Sequence, residues 1–154
     1  MCKIIRAASR LIPSLCGSLL YCTVLLVFAF GPAHARDQGY YPIQELLVTS
    51  KTIVGEDIRY PTTGTPKITV AIVTVAPGAP AAFHRHPVPL VAYILEGELT
   101  VDYGAKGVKT FHAGDSLVEA MDTPHRGMNL GTNVVRLLAI YIGAEGSSNV
   151  TLEK

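Results

Sequence analysis

The residues of this chain best suited to chemistry are two closely spaced histidines. In the stretch FHRHPVPLVAYILEGELTV, residues 83–101, His84 and His86 stand two positions apart in a run typical of a β-strand. Alternate residues of a strand point to the same side, so both imidazoles would face one place. Imidazole is the most common metal ligand among side chains, and a strand fixes its direction. The pair therefore indicates a candidate metal site.

A His-x-His pair is a weak signal by itself, because a histidine on an apolar strand is more often a core or surface residue. A third candidate is His125, which lies near the end of the glycine-led stretch GDSLVEAMDTPHRGMN. His112 directly precedes the turn sequence AGD and is predicted to lie at the surface. The candidate ligands are therefore His84, His86 and His125.

The two stretches resemble the two sequence motifs of the cupin family. PGAPAAFHRHPVPLVAYILEG is similar to the first motif, and GDSLVEAMDTPHRGMN is similar to the second. Two departures stand out: Leu90 occupies the position of the family's glutamate ligand, and Ala120-Met121-Asp122 occupies that of a Pro-x-Gly. The positions that agree with the motifs are Gly78, His84, His86, Gly97, Gly114, His125 and Asn129.

The resemblance implies one divalent metal ion, Fe, Mn, Ni or Zn, held by His84, His86 and His125. With Leu90 in place of the glutamate, the family's four ligands become three. Three neutral imidazoles leave more coordination positions open, and more positive charge on the metal, than three histidines with a carboxylate. Some cupin-fold thiol dioxygenases also bind iron with three histidines. That likeness implies metal binding, but it does not imply their substrate.

Glu119 is the candidate catalytic residue. In DSLVEA it shares strand parity with Leu117, and in the family this position usually holds an apolar side chain that faces the barrel interior. A buried, unpaired carboxylate is costly, so an inward Glu119 needs a partner: the metal, the free N–H of a ligand histidine, or Arg126. Facing inward, Glu119 would be the best general base in the chain. The alternative is a solvated carboxylate at a frayed strand end.

The rest of the pattern predicts an all-β protein. KITVAIVTV and LVAYILEG are apolar on both faces, which favours strands that are covered on both sides. Further short runs are separated by turn sequences such as PGAP, YGAKG and LGTN, and none has helical periodicity. This spacing favours a β-sandwich or barrel. The resemblance implies a double-stranded β-helix, or jelly-roll barrel: a single cupin domain at residues 36–154 with its core at about 66–143.

Residues 1–35 carry the pattern of a secretory signal peptide. Three basic residues precede an apolar run from Leu19 to Phe30, and the segment ends in the small-residue sequence AHA. We predict cleavage after Ala35 and export to the periplasm or medium. An uncleaved anchor is the alternative, but it would need roughly 18 or more consecutive apolar residues. All three cysteines lie in this segment, so an exported domain would be stabilised by its core without disulfides.

Charge limits the partners of the exported domain. Of the 13 Lys and Arg and the 12 Asp and Glu, three basic residues and no acidic ones precede residue 36, which leaves a net charge of −2. That balance, without basic runs, argues against nucleic acid or an anionic membrane as a partner and favours a small molecule. Open sheet edges and apolar strand faces also predict a homodimer.

Two functions from different classes follow. The leading hypothesis is an exported metalloenzyme that acts on a small oxygenated organic molecule, as a dioxygenase or as a lyase or isomerase. The alternative is a non-catalytic periplasmic module that binds a metal or a small ligand, which the missing glutamate favours. A vestigial site is a third hypothesis, and the intact His84, His86 and His125 argue against it.

Overall fold

The computed structural model describes residues 41–154, and the signal-peptide prediction lies outside them. Within this range there are nine β-strands and one short 3-10 turn, Gly104–Lys106. No helix in the described part is long and apolar enough to cross a membrane. The strands are β1 (Pro66–Val75), β2 (His84–Arg85), β3 (Leu90–Glu96), β4 (Glu98–Asp102), β5 (Val108–His112), β6 (Ser116–Val118), β7 (Arg126–Met128), β8 (Val135–Ala144) and β9 (Thr151–Leu152).

The strands form two main antiparallel sheets. One sheet has four strands in the order β1-β8-β3-β6, and the other has three in the order β5-β4-β7. The two short strands β2 and β9 pair with each other as a separate ribbon. Neighbours in space are mostly distant in sequence, as expected of a jelly roll. The predicted all-β double-stranded β-helix is confirmed.

The hydrophobic core lies between the two sheets. Leu99, Val101 and Phe111 of the three-stranded sheet pack in one buried cluster with Ala92 and Ile94 of β3. In β3, alternate residues are buried and the intervening ones are less buried, as the pleat requires. Burial of this apolar surface is the main stabilising term in the described domain.

The outer face of the four-stranded sheet is apolar and exposed. Along β1, Ile68, Val70 and Ile72 are 58%, 62% and 49% exposed. Their partners across the ladder are Ile142, Ile140 and Leu138 of β8, which are half-buried. Within residues 41–154 the prediction that β1 is covered on both sides is therefore wrong. We call the surface formed by these six residues the outer apolar face.

Gly97 shows why one of the motif glycines is needed. It forms the tight connection between β3 and β4 and has a φ of +80°, a conformation that side-chain-bearing residues rarely adopt. A Cβ at this position would lie 2.6 Å from the carbonyl oxygen of Val134. Only glycine allows the backbone to approach this closely.

Candidate metal centre

The three histidines predicted as ligands are brought together by strand pairing. His84 begins the two-residue strand β2, and His86 lies directly after that strand. His125 directly precedes β7 and forms an antiparallel bridge with His84. In this bridge the His84 N–H donates to the His125 carbonyl at 2.8 Å, and the His125 N–H donates to the His84 carbonyl at 3.0 Å. Paired backbone thus sets the separation of two of the three rings.

The geometry of the three rings suits a single cation. The ring centroids lie 5.0 Å apart for His84 and His86, 4.6 Å for His84 and His125, and 5.1 Å for His86 and His125. One nitrogen of each ring lies within 4.8 Å of the corresponding nitrogens of the other two. Two ligand atoms that each lie about 2.1 Å from one metal are at most about 4.2 Å apart, so the three nitrogens need to approach one another by no more than about 0.6 Å to share an ion.

Backbone carbonyls fix the orientation of each imidazole. Nδ1 of His84 lies 3.0 Å from the Ala82 carbonyl oxygen. Nδ1 of His86 lies 2.8 Å from the backbone carbonyl oxygen of Asn149, and Nδ1 of His125 lies 2.9 Å from the backbone carbonyl oxygen of Thr123. A carbonyl only accepts, so each Nδ1 carries the proton and each Nε2 keeps its lone pair. This is the arrangement in which metal-binding histidines are held by groups behind them.

The residues present fit a metal ion. Nε2 of His125 is buried and has no hydrogen-bond partner among the described residues, which is costly unless another group satisfies it. Burial lowers the pKa of His84, His86 and His125, and it lowers that of His86 to about 4. Neutral imidazoles are the form that binds metals, so all three are ready ligands at neutral pH.

Glu119 lies inside the barrel beside these histidines. Its side chain is buried, the residue being 6% exposed, and its Oε1 lies 4.0 Å from Nε2 of His125. The Tyr103 hydroxyl donates to Oε1 at 2.7 Å, and the Ala120 N–H donates to the same atom at 2.8 Å. Burial raises the pKa of Glu119 despite these hydrogen bonds, because the charged form loses its hydration.

The partner of Glu119 is Tyr103, not Arg126. Arg126 pairs with Asp102 at 3.1 Å, and its guanidinium lies 4.7 Å from the centre of the Phe83 ring. Sequence reasoning missed Tyr103, although it continues the inward parity of Leu99 and Val101 one step past the end of β4. That parity was the available signal.

Glu119 lies directly opposite the position of the missing glutamate. Val91 pairs with Val118, and the Glu119 N–H donates to the Leu90 carbonyl oxygen at 2.9 Å. Directly opposed residues of antiparallel strands project to the same side of a sheet. The chain therefore carries a carboxylate one strand away from the family's usual position, at the same level of the barrel.

The two remaining residues singled out from the motifs have structural roles. The Asn129 side-chain amide donates to the carbonyl oxygens of Val75 at 2.9 Å and Asn133 at 2.7 Å, so it closes a turn. His112 is exposed and lies 3.2 Å from Glu98. Neither reaches the three histidines.

An open cavity of about 440 Å³ lies beside Tyr103, and neither the three histidines nor Glu119 are among its lining residues. Its lining includes Tyr103 and two chain neighbours of the ligand candidates, Phe83 and Pro124. A cavity of this volume is in the range that holds a small organic molecule.

The buried histidines predict that the metal-free protein loses stability in mild acid. The folded protein keeps His86 neutral down to a pKa of about 4, whereas the unfolded chain protonates it near 6.5. Between these values the unfolded state binds more protons, so the free energy of unfolding falls as the pH is lowered. Glu119 acts in the opposite direction, because its pKa is raised in the folded state.

A comparison with His86→Asn isolates the histidine contribution, because Asn keeps a donor for the Asn149 carbonyl and does not titrate. We expect the unfolding free energy of this variant to depend less steeply on pH, by up to about 1.4 kcal/mol per pH unit between roughly pH 4.5 and 6. Denaturant titrations in the presence of a chelator measure this. Equal slopes for the two proteins would contradict it.

The fold and the site define a class: a small β-barrel in which three histidines are positioned to hold a metal ion. Residues 71–141 match the family model for the cupin domain. The chain carries a small cupin domain, and the resemblance seen in the sequence is confirmed. No curated protein matches the chain significantly.

Solved structures similar to this chain include an uncharacterized conserved protein with a double-stranded β-helix domain from Klebsiella pneumoniae, at 21% identity over 63% of this chain and 90% of that one, with a TM-score of 0.48. The DMSP lyase DddQ from Ruegeria pomeroyi is 20% identical over 55% of this chain and 42% of its own, with a TM-score of 0.48. An oxalate decarboxylase from Lactobacillus farciminis is 24% identical over 55% of this chain and 26% of its own, with a TM-score of 0.47. The similarity covers less than half of either enzyme.

Proposed function

We propose that this protein is an exported, mononuclear metal-dependent enzyme that acts on a small oxygenated organic molecule, with a dioxygenase-like reaction as the first candidate. The observation that carries the proposal is the buried carboxylate of Glu119, which lies 4.0 Å from the free Nε2 of His125. A buried titratable group beside potential metal ligands is expensive to maintain and is typical of functional sites.

His84, His86 and His125 would hold the ion, which we propose to be Fe, Mn, Ni or Zn. A bound ion would supply Lewis acidity toward substrate oxygen atoms, and Fe or Mn would also supply redox chemistry. Ligation by three imidazoles suits Fe, Ni and Zn, whereas Mn would depend on oxygen ligands from water or substrate in the open positions.

Glu119 would move the proton in the reaction. Its Oε1 accepts hydrogen bonds from the Tyr103 hydroxyl and the Ala120 N–H, and its Oε2 accepts none from the described residues. The substrate proton would therefore be taken up at Oε2. Tyr103 keeps the carboxylate oriented, and the raised pKa of Glu119 makes it a stronger base than an exposed glutamate.

The same base would serve a lyase or an isomerase, because both reactions begin by removing a proton from carbon next to an oxygenated group. The cavity of about 440 Å³ beside Tyr103 supports a substrate of small size. The net charge of −2 after residue 35 supports a small molecule rather than nucleic acid as the partner.

A non-catalytic binding module is the second candidate, and one observation favours it. Leu90 is 6% exposed and occupies the position of the family's glutamate ligand, so the donor set lacks a carboxylate there. A binder needs the three imidazoles but not Glu119 as a base.

Metal-dependent turnover separates the two candidates. The purified protein is loaded in turn with each of the four metals and incubated with a panel of small hydroxy acids, keto acids, diketones and thiols, with and without oxygen. Metal-dependent consumption of a compound, abolished by a chelator, would support the enzyme. Binding of panel compounds without consumption would support the module.

Export is part of the proposal and is supported by the basic, apolar and small-residue pattern of residues 1–35. We place the protein in the periplasm or outside the cell. N-terminal sequencing of the protein from its expressing cells is expected to begin at Arg36.

We also propose a homodimer in which two copies stack through the outer apolar face. Three cross-strand pairs, Ile68 with Ile142, Val70 with Ile140 and Ile72 with Leu138, make this surface uncharged. A twofold contact needs a self-complementary surface, and an uncharged apolar sheet face meets that need. The sequence of β1 is apolar on both faces, and a second copy of the protein would cover the face that is exposed.

Light scattering at micromolar concentration is expected to give a dimer for the unmodified protein and a folded monomer for Val70→Lys. Val108→Lys is the matched control, since Val108 is also exposed, at 61%, but lies on the other sheet. A monomeric unmodified protein would refute the dimer.

A further inference from the structure

A short turn that precedes the barrel is docked on β6 and on the residues that lead into His125. Residues 51–57 close on themselves through a bridge between Lys51 and Asp57, and the Thr52 N–H donates to the Glu56 carbonyl at 2.9 Å. The Ile53 N–H donates to the Val118 carbonyl at 2.8 Å, which ties the turn to β6 next to Glu119. This turn lies outside the residues that match the family model.

The Glu56 side chain extends from this turn and binds the loop of residues 120–124. This loop directly precedes His125, and we call it the ligand loop. Oε1 of Glu56 accepts the Thr123 N–H at 2.7 Å and the Thr123 hydroxyl at 2.6 Å. Oε2 accepts the Met121 N–H at 2.7 Å and the Asp122 N–H at 3.3 Å. One carboxylate thus accepts four hydrogen bonds from three consecutive residues.

These contacts continue to a ligand candidate. Thr123 is held by Glu56 through its N–H and its hydroxyl, and its carbonyl oxygen accepts Nδ1–H of His125 at 2.9 Å. Fixing the Thr123 peptide therefore fixes the direction of that carbonyl. The direction of the carbonyl sets the rotation of the imidazole and aims its Nε2.

The need for such a contact follows from the sequence of the ligand loop. Ala120-Met121-Asp122 stands where the family motif has Pro-x-Gly, so position 120 lacks the fixed φ of a proline, and Pro124 at the end of the loop does not restrain residues 120–122. The backbone N–H groups of residues 121–123 instead all donate to the carboxylate of Glu56. Hydrogen bonds to a charged acceptor are about twice as strong as neutral ones.

We propose that Glu56 is a positioning residue of the metal centre, which holds the ligand loop so that Thr123 orients His125 toward the ion. The inference rests on the proposed metal site. Groups that orient a metal-binding histidine from behind typically change metal affinity 10–100-fold when they are mutated.

The test compares Glu56→Gln with Asp57→Asn in the purified full-length protein. Both changes replace a carboxylate by an amide in the same turn, but Asp57 contacts Lys51 rather than the ligand loop. We expect Glu56→Gln to weaken Zn²⁺ binding roughly 10–100-fold in competition with a chromophoric chelator and to alter the visible absorption spectrum of the Co²⁺-saturated protein. Asp57→Asn should leave the affinity and the spectrum unchanged.

Thr123→Val is a second variant, which keeps the backbone of the ligand loop and removes only the hydroxyl that donates to Glu56. It should weaken Zn²⁺ binding several-fold, and it decides the question if circular dichroism shows that Glu56→Gln does not fold. If the folded variants keep the Zn²⁺ affinity and the Co²⁺ spectrum of the unmodified protein, the positioning role of Glu56 is overturned but the metal site is not. An unmodified protein that binds neither Zn²⁺ nor Co²⁺ would overturn the metal site and this inference together.

Discussion

Replacing Glu119 by Gln is expected to keep the metal and abolish turnover. Gln has the same shape, and its Oε1 still accepts the hydrogen bonds from Tyr103 and Ala120 that hold Glu119. It has no titratable group, so the proton can no longer be taken up at this position. Loss of a general base lowers the rate typically 10²–10⁴-fold. Rate constants on the substrate identified by screening, measured beside metal content, test this.

Glu98→Gln is the matched control, because Glu98 is exposed at the far end of β4 and contacts His112. It should behave as the unmodified protein. If Glu119→Gln turns over the substrate at the normal rate, Glu119 is not the base. If it changes only the affinity for metal or ligand, the protein is a binding module.

The second large effect is expected for Leu90→Glu, which restores the family's carboxylate. Leu90 is buried and pairs with Tyr141, whose ring lies 5.8 Å from that of His86. In the metal-free protein a second buried carboxyl would lie opposite Glu119, and an uncompensated buried charge costs about 3–5 kcal/mol. With a cation present, the added carboxylate would be a fourth ligand and tighten binding by roughly tenfold or more.

Unfolding of Leu90→Glu with and without saturating Zn²⁺ measures both effects. Leu90→Gln is the control, since it has the same length without the charge and should be destabilised without gaining affinity. We expect Zn²⁺ to stabilise Leu90→Glu more than the unmodified protein. If Zn²⁺ stabilises Leu90→Glu and Leu90→Gln by the same amount, position 90 does not face the ion.

The grouping of the three histidines was predictable because the signal for it is local. His84 and His86 share a strand face, and the glycine-led motif marks the element that supplies His125. Glu119 was predictable only in part, because its parity with Leu117 allows an inward side chain but does not exclude a solvated one at a frayed strand end. In the structure the side chain is buried inside the barrel.

What the sequence did not reveal depends on long-range packing. Glu56 acts on residues 121–123, which are 65–67 positions away, and no period or motif relates the two segments. The apolar pattern of β1 predicts cover on both faces, whereas residues 41–154 cover only one of them. Tyr103 lies just past a strand end, where side-chain direction is harder to predict.

Elemental analysis of the protein lacking residues 1–35, purified without a histidine tag or chelator, tests the central claim most directly. His84→Ala/His86→Ala, prepared in the same way, is the control. We predict about one equivalent of Fe, Mn, Ni or Zn per chain in the unmodified protein and none in the control. Absence of metal from the unmodified protein, even after reloading with each of the four ions, would contradict a metal centre formed by His84, His86 and His125.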